Sequence, residues 1–217
     1  MSIYTGVGDI AKRVTAIYAG VNGTARKIVR AYAGDENGVA QLVYQRRVYL
    51  FRDGVDNTAL TGDWAGSFTH KTNSGVNYSM TRLAVSGAYL QGSYSSSDGS
   101  SEKALYVRSN NAISLAGWNK LVCVLERYTS RASKTFENNK AYFGAFDSDY
   151  TTCKSNQLET RFLKYAIHSN NKNSAYTEVT LTVDISTLTG SYYIVYDNFE
   201  PNMNAAISIR IKEIWLE

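Results

Sequence analysis

A 14-residue repeat over roughly the first 45 positions restricts the fold more than any other feature of this chain. Tyr4, Tyr18 and Tyr32 fall 14 apart, as do Gly6, Gly20 and Gly34. Such self-similarity is read before anything else, because every copy must be the same small structural unit. The stretch Ala11-Lys12-Arg13-Val14-Thr15-Ala16-Ile17-Tyr18-Ala19-Gly20-Val21-Asn22-Gly23 recurs as Ala25-Arg26-Lys27-Ile28-Val29-Arg30-Ala31-Tyr32-Ala33-Gly34, and a truncated third copy follows as Ala40-Gln41-Leu42-Val43-Tyr44. Asn22-Gly23 and Asn37-Gly38 tolerate the positive φ angles of a type I′ turn, so they predict hairpins between β-rich stretches. Helix over 25–31 is the competing pattern, but glycines recurring every 14 residues leave no room for a stable helix of ordinary length. Residues 1–46 are therefore expected to form a β-hairpin or β-meander segment. A ribbon that thin cannot bury both faces. It is expected to pack on the rest of the chain, on a symmetry mate in a homo-oligomer, or on another protein.

From Val48 onward the texture changes, and residues 47–217 are expected to be a second domain. Short β-branched and aromatic runs alternate with Ser, Asn, Gly and Asp clusters: Val48–Phe51, Tyr78–Val85, Ala104–Val107, Lys120–Leu125, Ala141–Phe146, Phe162–Ile167, Glu178–Asp184, Tyr192–Tyr196 and Ala206–Leu216. Many short strands punctuated by turns predict an all-β sandwich or barrel rather than βαβ units. In the last run Ile207, Ile209 and Ile211 alternate with Ser208, Arg210 and Lys212, so one face is buried and the other wet. Residues 93–101 and 169–174 lack apolar anchors and are expected to be exposed loops.

Composition narrows the function. The net charge of +4 is a mild excess, not the dense basic patch that phosphate binding requires, which argues against nucleic acid as a partner. No basic segment leads into an apolar stretch at the start, and no run of about 18 apolar residues occurs, so neither a signal peptide nor a membrane span is expected. Cys123, inside Leu121-Val122-Cys123-Val124-Leu125, and Cys153, in a polar stretch, are expected to be free thiols.

Catalytic signals are thin, and no catalytic residue, metal or cofactor is expected. His70 and His168 stand far apart with no metal-type spacing, and the nucleophile-elbow, Walker and Rossmann patterns are absent. A Cys/His nucleophile pair would need Cys123 or Cys153 to meet His70 or His168 in space. A glycosidase would need two carboxylates about 5–10 Å apart. Asp53, Asp56, Asp63, Asp147, Asp149 and Glu126 are available, but most sit beside Gly, Asn or Ser, where aspartate serves turns. Asp147-Ser148-Asp149 has oxygens suited to Ca²⁺ but lacks the rest of a calcium loop. Aromatic rings are the better lead, since a sugar stacks its C–H face on Trp or Tyr while its hydroxyls pair with polar side chains. Trp64, Trp118, Tyr89, Tyr94, Tyr150 and Tyr176 lie in or beside polar stretches and are the candidate glycan-binding residues, whereas Trp215 is assigned to structure.

The run Tyr18-Ala-Gly-Val-Asn-Gly-Thr-Ala-Arg-Lys-Ile-Val-Arg-Ala-Tyr32-Ala-Gly resembles the Y-x-G-V-N-G-x-A-R-K repeats near the N-termini of tail-associated proteins in phages and prophages of gut Firmicutes. The ending, from Val179 through Glu217, resembles the close of jelly-roll, carbohydrate-binding-like domains carried by those proteins. The resemblance implies a virion component, made in the host cytoplasm and released by lysis, with other tail proteins as partners. It implies a short repeat segment for assembly, followed by a jelly-roll-type antiparallel β-sandwich that binds a cell-surface polysaccharide. A tail or baseplate part making protein contacts alone is the alternative, and a glycan hydrolase is a third.

Overall fold

The structure is a computed structural model describing residues 4–7, 10–13, 18–21, 24–27, 30–34, 40–45, 47–67, 69–71, 79–95, 103–129, 140–147, 152–154, 161–169, 173–200 and 206–217. The chain divides into two compact units, Met1–Val48 together with Glu217, and Tyr49–Leu216.

Among the described residues the first unit holds three antiparallel hairpins. β1 (Tyr4–Val7) pairs with β2 (Ile10–Arg13), and β3 (Tyr18–Val21) pairs with β4 (Thr24–Lys27). β5 (Arg30–Gly34) pairs with β6 (Ala40–Gln45). The register sets each repeat glycine opposite an alanine, Gly6↔Ala11, Gly20↔Ala25 and Gly34↔Ala40. The repeat is therefore one hairpin per copy. Among the described residues these are three separate two-stranded sheets, not a continuous meander. Local closure explains this: Val21 pairs directly with Thr24 across Asn22-Gly23, the least costly loop available. The third copy pairs as β5 with β6, from Gly34↔Ala40 to Arg30↔Gln45. The turn residues 22–23 and 35–39, and with them the turn expected at Asn37-Gly38, lie outside the described residues.

In the second unit β7 (Val48–Arg52) turns back into β8 (Val55–Asp56) through Asp53 and Gly54, whose φ angles of 53° and 75° fit the positive-φ pair of a type I′ turn. α1 (Thr58–Thr61) is a single helical turn closed by left-handed Gly62. The chain continues through β9 (Thr69–Lys71), β10 (Ser79–Arg82), β11 (Ala84–Ser86), β12 (Tyr89–Ser95), β13 (Lys103–Arg108), β14 (Ile113–Ser114) and β15 (Lys120–Thr129). It ends with β16 (Lys140–Phe146), β17 (Thr152–Lys154), β18 (Phe162–Ser169), β19 (Asn173–Asp184), β20 (Ser191–Glu200) and β21 (Ala206–Leu216). The first sheet has the order β10-β13-β20-β16-β18 with β14 beside β20; the second has β11-β12-β21-β15-β19 with β7 beside β21. From β10 to β21 the chain crosses repeatedly between the two sheets, as in a jelly-roll-type sandwich, while β9 and β17 pair apart from both.

One core joins the two layers. Leu105, Phe143, Ile194 and Tyr196 of the first sheet pack with Leu90, Leu125, Leu181 and Ile209 of the second, and each large apolar side chain so enclosed contributes about 1.5–3 kcal/mol. Cys123 sits in this layer, fully buried and unpaired, filling the place of a small hydrophobe. Trp215 is buried with its ring 5.9 Å from that of Tyr49. Gly144 of β16 is required by close approach: a Cβ there would lie 2.1 Å from the Lys164 carbonyl oxygen.

The sandwich is antiparallel as expected apart from one pair, since β10 runs parallel to β13. The chain visits the second sheet as β11 and β12 between them, and such a crossover is what parallel neighbours need. Residues 93–95 are not loop but the end of β12, where Tyr94 turns inward opposite Ile207. The serines flanking Tyr94 masked a period of two, Leu90, Gly92 and Tyr94 on one side and Gln91 and Ser93 on the other. Residues 96–102 and 170–172 lie outside the described residues.

Candidate functional site

The wet side of β21 organises the most chemically equipped surface among the described residues. Alternation on β21 gives one side of the sheet Ile207, Ile209 and Ile211, all buried, and the other Ser208 and Arg210. The register then lays Gln91 of β12 and Glu126 of β15 beside Arg210, and Glu178 of β19 beyond Glu126. Two irregularities sharpen this arrangement. Leu125 pairs with Ile211 while Val124 pairs with Glu213, so Lys212 is the extra residue of a bulge. Arg127 pairs with Thr177 while Thr129 pairs with Asn173, which puts Tyr176 in a second irregular stretch. Bulges of this kind re-aim side chains, and these two lie at either end of the Arg210 neighbourhood.

Arg210 is held by aromatic rings. Its guanidinium carbon lies 3.9 Å from the ring centroid of Tyr176 and 5.7 Å from that of Tyr89. The Tyr176 hydroxyl donates to Ser208 Oγ at 2.9 Å, and its ring is 5.9 Å from that of Tyr128. Beside this stack, Lys212 Nζ lies 2.7 Å from Glu126 Oε1 and 2.8 Å from Glu178 Oε2. The hydrogen bonds to Glu126 and Glu178 hold the Lys212 ammonium protonated well above its ordinary range. Arg52 meets Glu213 at 3.1 Å and Asp53 at 3.2 Å. A groove of about 390 Å³ runs here, lined by Tyr89, Val124, Glu178, Lys212, Glu213 and Asp53. The surface thus offers tyrosine faces, hydroxyls, carboxylates and cations side by side, a set that can stack on a ring and pair with its hydroxyls.

Of the six rings singled out from sequence, Tyr89 and Tyr176 come together here. Trp64 and Tyr94 are instead core residues, 4% and 9% exposed, and could stack on a ligand only if the core opened. Trp118 is half-buried and packs against the core at the turn before β15. Tyr150 lies outside the described residues. Arg210, Tyr128, Lys212, Glu126 and Glu178 are the members that sequence reasoning missed as ligand contacts. The alternation of Ser208, Arg210 and Lys212 was a usable signal for two of them; the others, Tyr128, Glu126 and Glu178, required the register of β15 and β19 against β21.

The carboxylates weighed for hydrolysis are mostly occupied locally. Asp56 Oδ1 accepts the Thr61 hydroxyl at 2.6 Å, Asp63 Oδ1 accepts the Ala65 N–H at 2.7 Å, and Asp53 forms its turn. Burial raises the Asp56 carboxyl above its ordinary range, with the Thr61 hydrogen bond opposing. Glu126 shares one ammonium with Glu178, and Asp147 follows β16 with its N–H bonded to Arg161 O; Asp149 lies outside the described residues. Among the described residues, no three of His, Cys, Asp and Glu cluster as a metal site would need. The parallel pair of β9 and β17 sets Cys153 opposite His70 in register.

Two buried polar features stand apart from this face. Between the sheets His168 Nε2 lies 3.2 Å from the Tyr196 hydroxyl, and burial pushes the Tyr196 phenol well above its ordinary range. On β20, Asp197 stands opposite Tyr106 and Tyr142 and is fully buried, and both carboxyl oxygens lack a hydrogen-bond partner. Burial pushes the Asp197 carboxyl up to about 8.

No family model matches the chain, and no curated protein matches it. Among solved structures it is similar to the crystal structure of the Emp47p carbohydrate recognition domain, at 10% sequence identity and a TM-score of 0.37, over 61% of this chain and 89% of that one.

Proposed function

We propose that the sandwich is a carbohydrate-binding module whose contact surface is the outer side of the second sheet. The observation that supports this most is the clustering of Tyr176 and Tyr89 about Arg210 beside the groove of about 390 Å³. Sugar rings stack on tyrosine, and the flanking carboxylates, amide and ammonium supply acceptors and donors for hydroxyls. Glu126 and Glu178 both engage Lys212, so this reading is of a binding surface rather than a hydrolytic pair. The repeat hairpins are the proposed docking segment, and the tail setting rests on the motif that they resemble. Weak single-site binding would serve there, since multivalency can raise avidity by about 10²–10⁴. Glycan-array binding, followed by titration of Tyr176→Ala with the best hit, tests the proposal. An affinity about tenfold lower in the variant supports it, and unchanged affinity sinks it.

A second reading has its own observation. β18, at the edge of the first sheet, exposes Leu163, Tyr165 and Ile167 on one side, at 46%, 37% and 40%. An apolar strip on an edge strand suits a protein partner, as a purely structural tail or baseplate part would have. Charged substitutions at all three positions would abolish assembly but leave glycan binding intact if both readings apply.

A further inference from the structure

We infer that the saccharide recognised by this face is anionic, carrying a carboxylate or phosphate that pairs with Arg210 beside a neutral ring seated in the groove. The inference rests on the carbohydrate-binding reading and gives it a substrate class.

The cations of the surface are not equivalent. Lys212 is satisfied by Glu126 and Glu178, and Arg52 by Glu213 and Asp53. Arg210 is different: among the described residues its guanidinium lies against the two tyrosine rings, and no carboxylate forms an ion pair with it. Glu126, opposite it in register, is turned to Lys212 instead. Its Nε is buried without a hydrogen-bond partner. A guanidinium held against the Tyr176 face is fixed in orientation, so its fork of N–H donors is pre-organised for a planar or tetrahedral oxyanion. Little side-chain entropy is left to lose on pairing.

The groove selects for the opposite property. Glu178, Glu213 and Asp53 line it, and a second anionic group placed there would face three carboxylates. Neutral hydroxyls, by contrast, find acceptors in those carboxylates and a donor in Lys212. The combination favours an acidic unit at Arg210 next to a neutral unit in the groove, rather than a uniformly charged polymer.

The test uses the full chain against matched pairs of oligosaccharides: uronate-bearing chains with their carboxyl-reduced forms, and phosphate-bearing chains with their dephosphorylated forms. The two sets distinguish carboxylate from phosphate as the source of the oxyanion. The expected result is that the acidic member of a pair binds about tenfold or more tightly, that Arg210→Gln abolishes the preference, and that Arg210→Lys restores it in part. Wild-type protein gives an independent readout: the preference should shrink between about 50 and about 500 mM NaCl, as an exposed ion pair does. Equal binding of both members, or a preference that survives Arg210→Gln, overturns the inference while Tyr176-dependent sugar binding stands. Failure of both members to bind at millimolar concentration overturns the carbohydrate reading with it.

Discussion

Replacing Asp197 by Asn should stabilise this protein, and by an amount that grows with pH. Asp197 is fully buried on β20 with neither carboxyl oxygen hydrogen-bonded, and burial pushes its carboxyl up to about 8 from an ordinary value of 3.8. The folded state therefore holds this proton more tightly than the unfolded chain does, and between those two values folding stability must fall as pH rises. At pH 7 the unfolded carboxyl is ionised by about 3 pH units, so at about 1.4 kcal/mol per unit the burden on the folded state is of order 4 kcal/mol. Asn keeps the shape and has no charge to lose, so Asp197→Asn removes this term. Near pH 4 the two proteins should unfold alike; by pH 7 the variant should melt roughly 8–16 °C higher, from about 2–4 °C per kcal/mol for a domain of this size. Thermal unfolding followed by circular dichroism at several pH values measures the difference directly, and comparing variant with wild type cancels every other titrating group. A difference that is flat with pH, or one that shrinks as pH rises, would refute the reasoning.

Gly144→Ala should cost about 3 kcal/mol or more, because the added methyl would lie 2.1 Å from the Lys164 carbonyl oxygen and 2.8 Å from Tyr165 Cα, neither of which can rotate away; denaturant unfolding would show it. In a Cys153→Ser background Cys123 should resist alkylation until the chain unfolds, since the thiol is fully buried and desolvation drives its ionisation far above neutral pH; labelling in native buffer would contradict this. Lys212→Met should cost about 1 kcal/mol or less of stability, with the loss fading at high salt, as expected where Glu178 is 57% exposed; a large, salt-independent loss would mean that the ammonium does more than balance Glu126 and Glu178.

Where local chemistry governs, the architecture was legible. The hairpin at Asn22-Gly23 and the buried alternation of Ile207, Ile209 and Ile211 follow from turn propensity and a period of two, and both are present. What escaped was set by non-local pairing. Tyr94 reads as loop because serines surround it, yet its inward side is decided by pairing with Ile207 on β21, more than 100 residues further on. Trp64 reads as a polar-stretch ring, but its neighbours in space are core side chains. The alternation on β21 marked Arg210 as wet without revealing that Tyr89 and Tyr176, from β12 and β19, would close on it. The Lys212 bulge likewise exists only as a mismatch between β15 and β21, which no inspection of either strand alone reveals.

Mapping backbone amide shifts by NMR as a binding oligosaccharide is titrated in would locate the contact surface most directly. Perturbations should concentrate on the neighbourhood of Tyr89, Tyr176, Glu178, Arg210 and Lys212 and leave β18 untouched. Shifts centred on Leu163, Tyr165 and Ile167, or scattered without focus on the second sheet, would contradict the account.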